Sequence, residues 1–147
     1  MEFKIINDRN RKEIEALSLK DEQEGFLESV QECILEAEKN PEWICVGIYE
    51  QGVVIGFAMY GMISLTTPKN QVWIDRFMID KKYQGNGYGK KAFQELIHIV
   101  KEAYHKDKIY LSVYEDNKVA IQMYQSLGFY FNGELDFNGE KVMELSI

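Results

Sequence analysis

Seven consecutive residues, Gln84-Gly85-Asn86-Gly87-Tyr88-Gly89-Lys90, carry the strongest chemical signal in the chain. They follow an apolar run from Val72 to Ile79 and a short turn, Asp80 to Tyr83, and they open an amphipathic stretch that reaches Tyr104. Glycines let backbone N–H groups approach an anion with no Cβ in the way. A helix that starts at the same point adds unpaired N–H groups and the positive end of its dipole. Strand, glycine turn and helix together predict a phosphate cradle. Two familiar cradles fail on spacing. A dinucleotide fold wants G-x-G-x-x-G near the first strand and an acidic residue about 20 positions later, whereas a P-loop wants G-x-x-x-x-G-K-[ST]. Here the glycines stand mid-chain at 85, 87 and 89, and Lys90 is followed by Lys91.

Asp75 is the other residue that asks for a reason, because it interrupts the apolar run Val72-Trp73-Ile74-Asp75-Arg76-Phe77. Strand alternation puts Asp75, Phe77 and Ile79 on one face and Arg76 on the other. A carboxylate there could take a proton, directly or through a water, hold an ammonium group, or pair with Arg76. Tyr124, read by itself, is an aromatic on the apolar face of a helix. His98 and His105 read as solvated surface residues. Cys33 and Cys45 form no CxxC, so they read as small buried hydrophobes, with neither a disulfide nor a metal site expected.

The elements that would position these residues follow from periodicity. Phe3, Ile5 and Ile6 suggest a first strand, and Asn7-Asp8 a cap for a helix with Ile14 and Leu17 on its apolar face. A second helix is expected from about Phe26 to Glu38, stopped by Asn40-Pro41. Trp43 to Tyr49 and Val53 to Tyr60 read as a hairpin across Glu50-Gln51-Gly52. The helix after the glycine turn carries Ala92, Phe93, Leu96, Ile97, Val100, Ala103 and Tyr104 on one stripe. Lys108 to Tyr114 alternates as a strand. Asp116-Asn117 then caps a helix with Val119, Ala120, Met123, Tyr124 and Leu127 as its apolar positions, ended by Gly128. Beyond it, Asn138-Gly139 is the better hairpin turn and Asn132-Gly133 a bulge or tight bend. The order β-α-α-β-β-β-α-β-α-β-β, with no repeat or linker, implies a single α+β (mixed α/β) domain over residues 1–147.

The bulk numbers narrow the partners. With 17 basic and 24 acidic residues the net charge is −7, which argues against nucleic acid and is compatible with a cationic substrate. No apolar run suits a membrane span and Met1-Glu2-Phe3-Lys4 starts no signal peptide, so a cytoplasmic protein with no membrane partner is expected.

Two motifs together resemble one family. Gln84-Gly85-Asn86-Gly87-Tyr88-Gly89 is similar to the Q/R-x-x-G-x-G/A pyrophosphate motif of the GCN5-related N-acetyltransferases (GNAT). Asn117, Ala120, Tyr124 and Gly128-Phe129 match that family's N-x-x-A-x-x-x-Y-x-x-x-G-F block. The resemblance implies a mostly antiparallel sheet with a splayed parallel pair and about four flanking helices. It also implies acetyl-CoA as co-substrate, held at Phe77, Met78, Ile79, Gln84, Gly85, Asn86, Gly87, Tyr88, Gly89, Lys90, Asn117 and Tyr124. Phe77 and Ile79 would pair with the amides of the pantetheine arm, and Tyr124 would protonate the leaving thiolate. Asp75 is implied as base or ammonium anchor. Some relatives carry a glutamate base at the position of Ser112, which a serine cannot replace unaided.

Within the family, Gly56 to Gly61, Trp73 to Phe77 and Phe131 to Met143 resemble bacterial polyamine (spermidine, spermine, diamine) acetyltransferases. Flexible polycations suit a site of carboxylates and aromatic walls. Glu22, Glu24, Glu28 and Asp75 would supply charge, with Glu134 and Asp136 adding to it. Tyr60 and Trp73 would supply surface, with Phe77 and Tyr83 beside them. Acetylation of another small amine or an aminoglycoside-like drug is the alternative, and a non-catalytic acyl-CoA sensor is a third. A homodimer through the C-terminal strands is an assembly the resemblance allows.

Overall fold

In the computed structural model of the chain, residues 1–20 and 29–147 are described. Strand β1 (Glu2–Ile5) leads to helices α1 (Arg11–Glu15) and α2 (Val30–Lys39), then to β2 (Trp43–Glu50), β3 (Val53–Ile63) and β4 (Gln71–Ile79). Helix α3 (Tyr88–Tyr104), β5 (Lys108–Val113), α4 (Lys118–Ser126), β6 (Tyr130–Leu135) and β7 (Lys141–Ser146) complete the chain. This is the order that periodicity predicts. The seven strands form one sheet, β1-β2-β3-β4-β5-β7-β6, antiparallel at every neighbour except β4 with β5. Among the described residues no helix is long and apolar enough to cross a membrane.

Local chemistry sets the boundaries. Gln51 and Gly52 both have positive φ (48° and 80°), the twist that a two-residue hairpin between β2 and β3 requires. Helix α2 is capped at Ser29, whose Oγ accepts from the Glu32 N–H (3.2 Å) and donates to the Glu32 carboxylate (3.1 Å). The sequence Ser-x-x-Glu is that of a capping box, although the Glu32 carboxylate accepts from the Ser29 hydroxyl and the apolar spacing alone did not reveal the cap; residues 26–28, where the sequence starts this helix, lie outside the described residues. The N-cap of α1 is Asn10 rather than Asn7-Asp8, and its side chain makes no cap bond. Asn7 is spent one turn earlier, its Oδ1 accepting from the N–H groups of Arg9 (2.8 Å) and Asn10 (3.1 Å).

The sheet has a core on each face. Ile74, Ile79, Phe93, Leu96, Ile109 and Leu111 belong to the larger cluster, which α3 and α4 cover. Ile14, Val30, Cys33, Cys45, Phe57 and Met59 form the smaller one, beneath α1 and α2. Two residues expected on apolar stripes are exposed. Ala103 is displaced by Tyr104, which covers that end of α3 by packing edge-on to Tyr60 (6.4 Å), and Val119 is 76% exposed on α4.

Strands β4 and β5 pair at only two positions, Val72 with Ile109 and Trp73 with Tyr110, before they part. The stacked rings of Trp73 and Tyr110 (5.5 Å) lie at that last shared rung. Just beyond it β4 bulges. Tyr60 pairs with Ile74 and Met59 with Arg76, which leaves Asp75 as an extra residue. The bulge overturns the simple alternation expected from sequence. Phe77 and Ile79 join Ile74 on the α3 face, whereas Arg76 shares its face with Met59 of the smaller core. Asp75 goes with Arg76. Its charge reaches Cys45 in that core, where burial first, then Glu36, then Asp75 push the thiol up to about 12.

Phe93 is fully buried and meets Phe77 (4.9 Å), Tyr124 (5.0 Å) and Phe129 (5.9 Å), so it ties α3 to β4 and α4 at the parting of the strands. Phe93→Ala is expected to cost about 3–5 kcal/mol, read as a lower urea midpoint at unchanged slope. A loss below about 1 kcal/mol would show that this aromatic cluster does not hold the site together.

Candidate active site

The glycine turn and the parting of β4 and β5 meet at one place. Asp80, at the end of β4, donates its N–H to the Ile55 carbonyl on β3 (2.8 Å). Peptide groups alternate in direction along a strand, so those of Met78 face β3 and those of Phe77 and Ile79 face the gap. The Asp80 carboxylate accepts from the N–H of Lys82 (2.9 Å), which starts a single 3₁₀ turn at Lys81–Tyr83, and from the N–H of Ser18 (2.9 Å), which follows α1. One buried aspartate thus fixes the glycine turn to both β4 and the segment leading away from α1. Its sequence context gave no sign of that role.

Gly85 and Gly87 both have φ of 81°, and a Cβ added to either would meet nothing within 4 Å. They are glycines for backbone conformation, and the space around them is open to a ligand. Gly87 is the N-cap of the 17-residue α3 and no side chain caps it, so the first N–H groups of that helix face the turn. Gln84 folds back, its amide donating to the Ile79 carbonyl (2.8 Å), and Asn86 makes two long bonds to the carbonyls of Tyr83 and Gln84 (3.4 Å each). A cavity of about 240 Å³ begins here and runs between α3 and α4 to Tyr124. Of the residues expected to hold a cofactor, Phe77, Met78, Ile79, Gln84, Gly85, Gly89, Asn117 and Tyr124 line it. The Met78 side chain belongs to the smaller core, so its share of the wall is backbone. Asn86, Gly87, Tyr88 and Lys90 do not line the cavity: Asn86, Gly87 and Lys90 are exposed, and Tyr88 packs against the larger core. Left-handed glycines, an uncapped helix and an outward-facing strand edge fit a diphosphate joined to an amide-bearing arm.

At the inner end, a second cavity of about 30 Å³ lies where the strands part, lined by Asp75, Arg76, Ser112, Tyr114, Glu140 and Tyr124 among others. Among the described residues Phe77, Asn117 and Tyr124 border both cavities. Tyr124 packs beside Phe93 and Phe129 (6.0 Å), and burial pushes its hydroxyl up to about 12, against the opposing influence of the Arg76 charge. Arg76 turns back on itself, donating Nη1 to the Asp75 carbonyl (2.9 Å). Glu140, which sequence reasoning passed over, accepts from the Ser112 hydroxyl (2.8 Å). A carboxylate therefore stands beside the serine that seemed to leave the site without one.

The expected acceptor residues fare unevenly. Glu22, Glu24 and Glu28 lie outside the described residues. Tyr60 is buried in the larger core against Tyr104, away from both cavities, because its strand position points it at α3 rather than at a groove. Trp73 sits one rung before the parting, its indole N–H bonded to Gln71 (3.0 Å). Tyr83 packs against the larger core. Asp136 is engaged within the C-terminal hairpin, where its Oδ1 accepts from the N–H groups of Asn138 and Glu140 (2.9 Å each). Glu134 is exposed, with a long bond from Asn132 (3.4 Å).

A sheet split beside a glycine turn, with a tyrosine at the split, defines an N-acetyltransferase fold. The family profile described as Acetyltransferase (GNAT) family matches residues 6–129, and the chain belongs to that family. It is 46% identical over 144 residues to a probable spermine N(1)-acetyltransferase of Bacillus subtilis subsp. natto (strain BEST195), covering 96% of this chain and 95% of the relative. It is 45% identical over the same shares to a spermine/spermidine N(1)-acetyltransferase of Bacillus subtilis (strain 168). Among solved structures, a chimera of the spermidine N-acetyltransferase SpeG from Vibrio cholerae and hSSAT superposes with a TM-score of 0.76 at 21% identity, covering 99% and 96% of the two chains. The PaiA N-acetyltransferase of Thermoplasma acidophilum in complex with coenzyme A gives 0.70 at 18%, covering 99% and 98%.

The glycine geometry makes a direct prediction. Gly87→Val forces a β-branched residue to positive φ, at a cost of about 1–2 kcal/mol, and crowds the turn. Calorimetric titration with coenzyme A is expected to show affinity at least about tenfold weaker, with the protein still folded. Unchanged affinity would remove the turn from cofactor binding.

Proposed function

We propose that the protein transfers the acetyl group of acetyl-CoA to an amine of a polyamine such as spermidine or spermine, by direct attack in a ternary complex. The observation that carries the reaction is the position of Tyr124, at the junction of the long cavity from the glycine turn and the small cavity lined by acidic residues. The polyamine is supported by the two full-length relatives with that activity in their names.

In this reading the N–H groups of residues 85 to 89 hold the diphosphate, and the outward peptide groups of Phe77 and Ile79 pair with the arm like an added strand. The thioester then lies beside Tyr124. Asp75, displaced by the bulge onto the face opposite α3, meets the positive charge of the acceptor there. The leaving sulfur takes its proton from Tyr124. Because burial favours the neutral phenol, Tyr124 remains a donor through the alkaline range and loses that role only as pH nears about 12.

Two measurements test this. Purified protein, acetyl-CoA and a panel of amines are followed by released thiol. Spermidine and spermine are expected to exceed simple primary amines and aminoglycosides in kcat/KM, and failure to do so would transfer the assignment to another amine. Tyr124→Phe is expected to lower kcat by about 10²-fold at unchanged affinity for coenzyme A. A change under about threefold would exclude it as the acid.

A further inference from the structure

The split sheet brings a second carboxylate to the chemistry, from a part of the chain remote in sequence. Glu140 is the residue after the Asn138-Gly139 turn, and that turn is tightly built. The Asp136 N–H donates to the Glu140 carbonyl (2.9 Å), the Glu140 N–H donates to Asp136 Oδ1 (2.9 Å), and Gly139 carries φ of 81°. The carboxylate is held from the far side as well, by the Ser112 hydroxyl (2.8 Å) and by a hydrogen bond from Tyr114. Pairing of Ser112 with Val142 puts Ser112, Val142 and, two residues before it, Glu140 on one face of the sheet. That is the face opposite Leu111 and Val113, which pack under α3. Tyr124 reaches the same small cavity from the α4 side.

We propose that Glu140 is the proton acceptor for the attacking amine, with Ser112 and Tyr114 as the residues that position it. The proposal rests on the acetyltransferase reading above. A cavity of about 30 Å³ has room for one water or one amine nitrogen between Glu140 and Tyr124. Base and acid thus approach one reaction centre from opposite faces of the sheet, through the opening that the parted strands leave. The primary ammonium gives one proton to Glu140, which frees the nitrogen lone pair. The N–C bond to the acetyl carbon forms as the C–S bond breaks, and the electron pair leaves on sulfur. Sulfur takes the Tyr124 proton. The second nitrogen proton and the one held by Glu140 pass to water, Tyr124 regains one from water, and one proton is released overall. Burial raises the Glu140 pKa above the ordinary carboxylate range, and the Asp136 charge adds to this; Ser112, Arg76 and Tyr114 act in the other direction. Such a carboxylate is a better proton acceptor near neutrality than an exposed one.

The groups around Glu140 are Ser112 and Tyr114 on and beyond β5, Asp75 and Arg76 on β4, Tyr124 on α4 and Asp136 in its own hairpin. Glu140→Gln is expected to lower kcat for spermidine by about 10²-fold and to remove the acid limb of the kcat profile, with coenzyme A affinity by calorimetry unchanged. Glu140→Asp should keep the acid limb at an intermediate rate. Ser112→Ala removes a bond that favours the ionised carboxylate, so its acid limb should move to higher pH. This variant carries the test if Glu140→Gln does not fold. A Glu140→Gln enzyme within about threefold of wild type in kcat, with only the KM for amine raised, overturns the proposal in favour of an anchor. An acid limb that Ser112→Ala leaves in place, or that Asp75→Asn abolishes and Glu140→Gln retains, also overturns it. If the wild-type protein releases no thiol with any amine, the acetyltransferase reading itself fails, a result distinct from these.

Discussion

The structure depends on the parting of β4 from β5 after two rungs. A parallel pair normally continues as long as both strands do, because an unpaired buried peptide group costs about 1–3 kcal/mol. Here both strands are pulled apart from outside. β5 is bound along its full length to β7, through six pairs, and β4 is bound to β3 up to Ile79. The bulge at Asp75 bends β4 as it leaves the shared rungs, and aromatic side chains from α3 and α4 wedge the opening from one face. What remains is a strand edge facing a gap within the sheet, which a ligand with amides at strand spacing satisfies. Catalytic geometry follows from that one irregularity.

The same opening organises the charges. On the α4 side stands a tyrosine whose environment keeps it neutral, and on the other side stand Asp75, Arg76 and Glu140. Burial pushes Tyr124 and Glu140 upward in pKa, and the Arg76 charge opposes both shifts. Two groups of the same tendency are thereby kept in useful states: a phenol that holds its proton and a carboxylate that can still ionise. Asp75 joins Arg76 there because of the bulge. In a regular strand its neighbours would alternate, and the residue after Ile74 would not share a face with the one after it.

Much of this was legible from local sequence. The glycine turn, the helix after it and the Asn117 cap each follow from short-range rules, which also gave the element order, whereas Tyr124 read alone is only an apolar-face aromatic and was singled out by the family resemblance. What stayed hidden depends on pairing between distant segments. Alternation assigned Asp75 to the face of Phe77, and only the register against β3 reveals the extra residue. Tyr60 has the composition of a groove wall, yet its neighbour across the sheet turns it into the core. Ser112 looked like a site without a carboxylate, because nothing within β5 says that the turn before β7 brings Glu140 alongside it. Asp80 was passed over as a turn residue, although its carboxylate joins β4 to the segment after α1.

The family profile ends at residue 129, so it covers the glycine turn, both parted strands and Tyr124 but not the C-terminal hairpin. That division has a physical meaning. In the proposed function the matched part holds the donor and protonates the leaving group, tasks that are the same for every acyl acceptor. The hairpin lies beyond it, and the full-length relatives named for spermine and spermidine acetylation cover nearly the whole chain. Deprotonating a polyamine is harder than deprotonating a weakly basic amine, since its nitrogens are charged at neutral pH and each ammonium is strongly hydrated. A carboxylate fixed by a tight turn, on the side from which a cation approaches, offsets both costs at once: it attracts the charge and then takes the proton. With Glu140 as the proposed proton acceptor, the hairpin that closes the sheet would adapt a common acetyl-transfer scaffold to highly basic acceptors.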